Sequence, residues 1–272
     1  MNAPSKPGTQ QGMAEHSPLL NERPSDAGLR RLHEHRGEPL FVADWRHAVF
    51  LHFTVDPAQL QSTVPFPLDL KNGRAWISLV AFTMVGMRPS FGGRLGKVVL
   101  RPIATHPFLN VRTYIRRADE PGIHFLAEWL PNKLASLLGP ACFGLPYRRG
   151  RLEYHHTGKL IYGEVVNTGG LRLRYRELSE QRKQFAECER GSLEEFLMER
   201  YTAYVAWRRG RLGFFRVWHH PWKQTRVELV MDTSTLLEAV PGAPAWLASA
   251  TFQFANYTPG VTEVAMGRPH LI

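Results

Sequence analysis

Cysteine is nearly absent from this chain: only Cys142 and Cys188 occur in 272 residues, and they lie far apart. That excludes a disulfide framework and a CxxC metal knuckle, and two separated thiols fit a reducing compartment. Acidic charge is scarce as well, with 24 Asp and Glu against 34 Lys and Arg and a formal net charge of +10. Five acids balance the five basic residues before position 39, so the excess sits on the rest of the chain. No apolar run reaches the ~20 residues needed to span a bilayer. The longest, residues 75–87 (AWISLVAFTMVGM), is broken by Ser78, Thr83 and Gly86 and reads as a buried strand. The beginning of the chain lacks the apolar core of a secretory signal, so a cytoplasmic protein without a membrane span is expected. HExxH, GxSxG, GxGxxG and phosphate-loop patterns are missing. Twelve histidines include no pair at i,i+4 spacing, so neither a metal nor a cofactor is expected. No recognised nucleic-acid motif occurs, and no specific nucleic-acid partner is expected.

What is present divides into a tail and a globular part. Residues 1–38 combine a Pro, Ser, Gly and Gln-rich start with mixed charges and no sustained period, and read as a mobile tail with one short helix around Leu29 and Leu32. Residues 39–272 read as a single domain, because no linker-like stretch interrupts them. Strands are expected at 45–55, 74–89 with a bulge at Gly86, 110–117, 123–130, 159–166, 171–177, 212–218, 224–230 and 247–255. Gly92, Gly93 and Gly96 mark a loop, and short turns pair 110–117 with 123–130 and 159–166 with 171–177 as hairpins. Asp56-Pro57 starts a short helix, residues 131–144 begin another that Gly139-Pro140 interrupts, and Ser192 with Glu195 has capping-box spacing. The fold class is α+β, mainly antiparallel β, a closed or strongly curved sheet with a few short helices.

Arginine clusters at 148, 149 and 151, at 172, 174 and 176, and at 208, 209 and 211. Alternation in 171–176 puts three guanidinium groups on one face of a strand, which reads as the solvent side of a sheet. Arg112 differs, because it sits between Val111 and Thr113 in the best-patterned hairpin. A cation facing a core needs a partner, either Glu128 on the next strand or a ligand carboxylate. Trp76, Phe82, Tyr114 and Trp129 would shape such a ligand site.

FLHFTVDPAQL (50–60), GRAWISLVAFTMVGMRP (73–89), NVRTYI (110–115), GSLEEFLMERY (191–201), HPW (220–222) and TPGVTEV (258–264) occur in that order. Together they resemble the family of domains of unknown function numbered 2071, over residues 45–265. That family is similar to the acetoacetate-decarboxylase superfamily, and the resemblance implies a cone-shaped β-barrel with an internal cavity. The decarboxylase works through a Schiff-base lysine activated by burial beside another cation. Here LPNKLA (130–135) is similar to its lysine-pair stretch, but Asn132 stands at the nucleophile's position and only the second lysine is matched, by Lys133. An amide forms no imine, so the resemblance argues against true acetoacetate decarboxylation and leaves a lyase-like activity open. A glutamate that often precedes the NVRTY element is replaced by Phe108-Leu109. Lys133 and Glu128 are the candidate catalytic residues; Arg112, Tyr114, Trp76, Phe82, Trp129 and Asn132 are the candidate binding residues. The expected function is to bind or transform a small organic acid or carbonyl compound. The alternative is a non-catalytic module that uses its basic surface to bind an acidic partner or to self-associate.

Overall fold

A long strand whose side chains alternate between two buried faces carries apolar residues at every position, and the central strands of this protein do so. In the computed structural model, which describes residues 22–157, 159–178, 183–207 and 210–272, Val49, Leu51 and Phe53 enter one core cluster, and Ala48 and Phe50 enter another. The next strand repeats the division, with Ile77, Leu79 and Ala81 on one side and Val80, Phe82 and Met84 on the other.

In chain order the elements begin with helix α1 (Pro24–Leu32), strand β1 (Phe41–Val55), α2 (Pro57–Gln61), β2 (Ala75–Pro89), α3 (Gly93–Leu100), β3 (His106–Arg117), β4 (Glu120–Leu130) and α4 (Lys133–Phe143). There follow β5 (Tyr147–His156), β6 (Ile161–Asn167), β7 (Arg172–Glu177), α5 (Leu193–Met198), β8 (Thr202–Ala206), β9 (Leu212–Trp218), β10 (Thr225–Val227), β11 (Leu229–Thr233), α6 (Ala243–Trp246), β12 (Thr251–Met266) and β13 (His270–Leu271). The strands form one mixed sheet in the order β11-β7-β6-β5-β4-β3-β2-β1-β12-β9-β13. β10 also pairs β12, and β8 pairs both β4 and β9. The β4–β5 and β4–β8 pairings are parallel; the other pairings between these strands are antiparallel.

Both expected hairpins are present, and the β1–β2 register shifts between Val42 and Asp44, opposite the Gly86 bulge. The short helix expected around Leu29 and Leu32 is present as α1, but it is packed rather than mobile: Leu32 is buried, and Gly28 lies so close to the Tyr201 ring that a Cβ would clash. The Trp218 indole N–H donates to Ser25 O at 3.0 Å and holds the same helix. The remainder of the tail, residues 1–21, lies outside the described residues. The Gly92–Gly96 stretch is not a loop but the start of α3; Gly92 supplies its left-handed N-cap (φ 82°), and Gly96 lets the helix approach Pro89. The helix capped by Ser192 stops at Met198, because Glu199 and Arg200 turn inward. The Glu199 carboxylate accepts from the Trp222 N–H at 2.9 Å, and Arg200 pairs with Asp69 at 2.8 Å.

β5 and β8 went unread in the sequence, as did the C-terminal half of β12. On β7, Arg174 pairs with Glu164 and Arg176 with Asp232, so this face is an ion-paired exterior. Arg208 and Arg209 lie outside the described residues.

Candidate ligand-binding site

β3 sets out the site. His106, Phe108, Asn110 and Arg112 recur every second residue and share one face, which looks into a cavity of about 260 Å³. β4 lies beside it with Glu128 opposite Asn110, but the register shifts between Val111 and Arg112. One extra residue on β4 lets Glu128 and Phe125, three apart, face the same cavity, while Leu126 and Ala127 join the other core cluster. Val80, Phe82 and Met84 of β2, Ala48 and Phe50 of β1, and Phe215 and Val217 of β9 make the wall apolar. Trp45 and Trp222 stack at 6.2 Å on one side, and Phe82 and Phe108 stack at 5.4 Å. α4 closes part of the cavity with Ala135, Leu138, Gly139 and Cys142.

Polar groups in this apolar wall are few and poorly satisfied. Arg112 is buried, and one guanidinium N–H donates to Leu197 O at 2.9 Å, but its Nε has no partner. The cation lies 5.4 Å from the Phe50 ring centre and 5.8 Å from that of Tyr114. Glu128 Oε1, Asn110 Oδ1 and both ring nitrogens of His106 are likewise buried without a partner. Burial pushes the Glu128 carboxyl up to about 8, so it carries a proton at neutral pH. Burial also holds His106 and His219 down at about 4, so both are neutral imidazoles. The expected Arg112–Glu128 pair does not form: Arg112 turns toward α5, and Glu128 stands opposite Asn110.

Behind Arg112 runs a buried hydrogen-bonded chain. The Tyr114 hydroxyl lies 2.9 Å from Leu197 O and 2.5 Å from Ser78 Oγ, and Ser78 Oγ is 2.7 Å from His52 Nδ1. His52 Nε2 is 3.1 Å from Asn256 Oδ1, an atom that only accepts, so Nε2 carries the proton and Nδ1 accepts from Ser78; the single Tyr114 proton then goes either to Ser78 Oγ or to Leu197 O. Burial, with Arg112 nearby, drives His52 down to about 3 and keeps it uncharged. This chain fixes the strand positions that flank Arg112.

Of the residues singled out in the sequence, the structure brings Arg112, Glu128 and Phe82 together in the cavity wall. Tyr114 serves the chain behind it. Trp76 is buried beside the same cluster without lining the cavity, and Trp129 points into the opposite core. Asn132 caps α4, accepting from Ala135 N at 3.0 Å and donating to Pro102 O at 2.6 Å. Lys133 is exposed on the first turn of α4, and no lysine is among the described residues that line the cavity. His106, Asn110, Trp45 and Trp222 were missed. Extending the Arg112–Tyr114 alternation backwards along NVRTY would have found Asn110 and His106.

Solved structures with this arrangement of strands define the class. An acetoacetate decarboxylase from Legionella pneumophila covers 90% of this chain and 94% of its own at TM-score 0.58 and 10% identity. An acetoacetate decarboxylase-like enzyme from Sphingomonas wittichii RW1 covers 86% and 93% at TM-score 0.59 and 14% identity. The enduracididine biosynthesis enzyme MppR, solved in complex with pyruvate, covers 86% and 90% at TM-score 0.59 and 12% identity. The fold is therefore acetoacetate decarboxylase-like. Within that class the chain belongs to the family of domain of unknown function 2071 (DUF2071), described as an uncharacterized conserved protein, whose profile matches residues 42–262. Protein YqjF of Bacillus subtilis (strain 168) is 29% identical over 203 residues, 72% of this chain and 79% of that protein.

Proposed function

We propose that this protein binds a small organic acid bearing a carbonyl group in the β3–β4 cavity and handles it without a Schiff base. The observation that carries the reading is Arg112, a buried cation at an apolar cavity with no carboxylate paired to it among the described residues. Leaving such a charge unpaired costs several kcal/mol, which a ligand carboxylate would offset. Glu128, protonated at neutral pH, would donate a hydrogen bond to the ligand's carbonyl oxygen or supply a proton as charge develops there. Arg112 lies two residues along β3 from Asn110, the position facing Glu128, so the two groups are set ~7 Å apart along the strand. The cavity holds roughly nine water volumes at ~30 Å³ each, the scale of a small metabolite rather than a polymer.

Pairing runs from β4 through β3, β2, β1, β12 and β9 to β8, which pairs β4 again. This circuit supports a cone-like barrel around the site. The absence of lysine from the described lining, together with Asn132 acting as a helix cap, argues against imine chemistry.

The test is a fluorescence titration, reported by Trp45 and Trp222, of 3-oxo and 2-oxo acids alongside their amides. The acids are expected to bind and the amides to bind at least tenfold more weakly. Arg112→Met should lose ~10–100-fold in acid affinity, the range for a charged hydrogen bond, while still unfolding cooperatively and no less stably than the parent, since it removes an unpaired buried charge. Borohydride should trap no adduct with any of the acids. Equal binding of acid and amide, or unchanged affinity in Arg112→Met, would defeat the proposal.

A further inference from the structure

Two helices beside the cavity carry their apolar faces outward. α3 has no buried residue; Leu95, Val98 and Val99, at i, i+3 and i+4, form one exposed face, and Leu95 is 75% exposed. α4 repeats the arrangement at i, i+3, i+4 and i+7 with Leu134, Leu137, Leu138 and Ala141, all exposed, and Leu137 is 72% exposed. On a globular protein this stripe ordinarily turns to the core. α3 runs directly into the 3-10 turn Arg101–Ile103, and Asn132 at the start of α4 donates to Pro102 O in the same turn. The end of α3 and the start of α4 therefore meet at one turn, with an exposed apolar stripe on each helix.

The charge carried by the two helices themselves has one sign. Arg94, Lys97 and Arg101 fall on the flank of α3 beside its apolar face, and Lys133 begins α4. No Asp or Glu occurs between Asp69 and Asp119, or between Glu128 and Glu153.

We propose that this face docks on an anionic lipid bilayer, with α3 and α4 lying in the interface, their leucines and valines at the acyl boundary and their cations among the headgroups. A second copy of the same face would bring cationic helices together with no acid on either helix to answer Arg94 and Lys97, which is why a lipid surface is the occupant the helix charges favour. The cavity reaches the surface beneath this face, at the exposed Leu138 and Cys142. An acid dissolved in the membrane would thus have an apolar route to Arg112. That last step rests on the cavity reading; the docking itself does not.

The experiment is vesicle flotation of the full-length protein. Vesicles of phosphatidylcholine with about 30% phosphatidylglycerol should carry the protein, and phosphatidylcholine alone should carry roughly tenfold less. Leu95→Ser/Leu137→Ser should lose at least tenfold on the anionic vesicles with an unchanged thermal transition, both residues being exposed, and Arg94→Glu/Lys97→Glu should lose as much. Flotation on neither vesicle, or flotation indifferent to the leucine changes, would overturn the proposal. So would a concentration-dependent dimer in sedimentation that Leu95→Ser/Leu137→Ser abolishes, since a second copy would then cover the face. Acid binding in the fluorescence titration reads the cavity separately, and either result stands without the other.

Discussion

Arg112 and Glu128 lie on adjacent strands and both face the cavity, yet neither neutralises the other, and the cost of that arrangement is readable as a pH dependence. Glu128 has an ordinary carboxylic acid as its unfolded reference, at 4.5, and is pushed up to about 8 by burial. The folded state therefore holds a proton that the unfolded state releases above 4.5. Its contribution is fully present below that pH and is lost progressively up to about 8, at ~1.4 kcal/mol per pH unit. The buried histidines act in the opposite sense: with folded values of about 4 for His106, His156 and His219, they oppose folding as the pH falls below 6.5. Glu128→Gln keeps the shape and hydrogen-bonding capacity of the protonated acid and removes its titration. The variant's melting temperature should exceed that of the parent at pH 8–9 by several degrees and match it near pH 5. Equal melting curves across that range would mean that Glu128 ionises freely. Arg112 and Glu128 were legible in the sequence because a charge inside a strand of apolar neighbours is conspicuous. Asn110 and His106 could be reached only by carrying the alternation back along the strand from Arg112, since a neutral polar residue alone looks the same whether it faces a ligand or a neighbouring strand.

At the scale of an element, α4 shows how a helix can wall a cavity while its sequence suggests a break. Pro140 removes one backbone donor from the helix interior, but the helix continues to Phe143 and ends at Gly144 in the left-handed conformation. Gly139 is required because the Tyr147 ring occupies the space a Cβ would take. The interruption expected at Gly139-Pro140 is therefore absent, and the contact that requires Gly139 comes from Tyr147 on β5, which local sequence does not show. Asn132 holds the start of α4 through its cap and its bond to Pro102 O. Asn132→Ala should destabilise the protein by ~1 kcal/mol, read as a lower urea midpoint, whereas Asn132→Asp should retain most of the cap. Asn132→Lys should give no borohydride-trapped adduct, because this position points along the helix start rather than into the cavity. A trapped adduct at residue 132 would show instead that the position reaches the ligand. α3 was read as a loop because glycines at 92, 93 and 96 suggest flexibility, whereas two of them serve a cap and a close approach to Pro89.

At the scale of the whole molecule, the short β8 connects what the long strands leave apart. Four strands, β3, β2, β1 and β12, stand between β4 and β9 in the sheet order, and β8 pairs with both. Its junction with β4 is parallel and consists of two paired positions, Ile123 with Ala203 and His124 with Tyr204. Parallel pairing is the weaker kind per residue, so this seam leans on side chains. The His124 ring lies 2.9 Å from Tyr204 O, and Thr202 and Arg216 both engage the Glu120 carboxylate. Thr202–Ala206 has the β-branched and aromatic residues of a strand but is short, and its partner β4 lies far earlier in the chain, so local sequence does not show the pairing. Gly122 makes the approach feasible: a Cβ there would stand 2.5 Å from the Tyr204 ring and 2.6 Å from Thr202 O. Because one of those atoms is backbone, the seam must part to accept a methyl group, at a cost of roughly 2–4 kcal/mol. Gly122→Ala should lower the urea midpoint accordingly and weaken acid binding, since Thr202, Ala203 and Ile123 of the seam line the cavity. Gly169→Ala meets nothing closer than 3.4 Å in the β6–β7 turn and should leave both unchanged. If Gly122→Ala is as stable as Gly169→Ala, the two strands do not depend on that close approach, and the cavity wall is held by the Glu120 contacts instead.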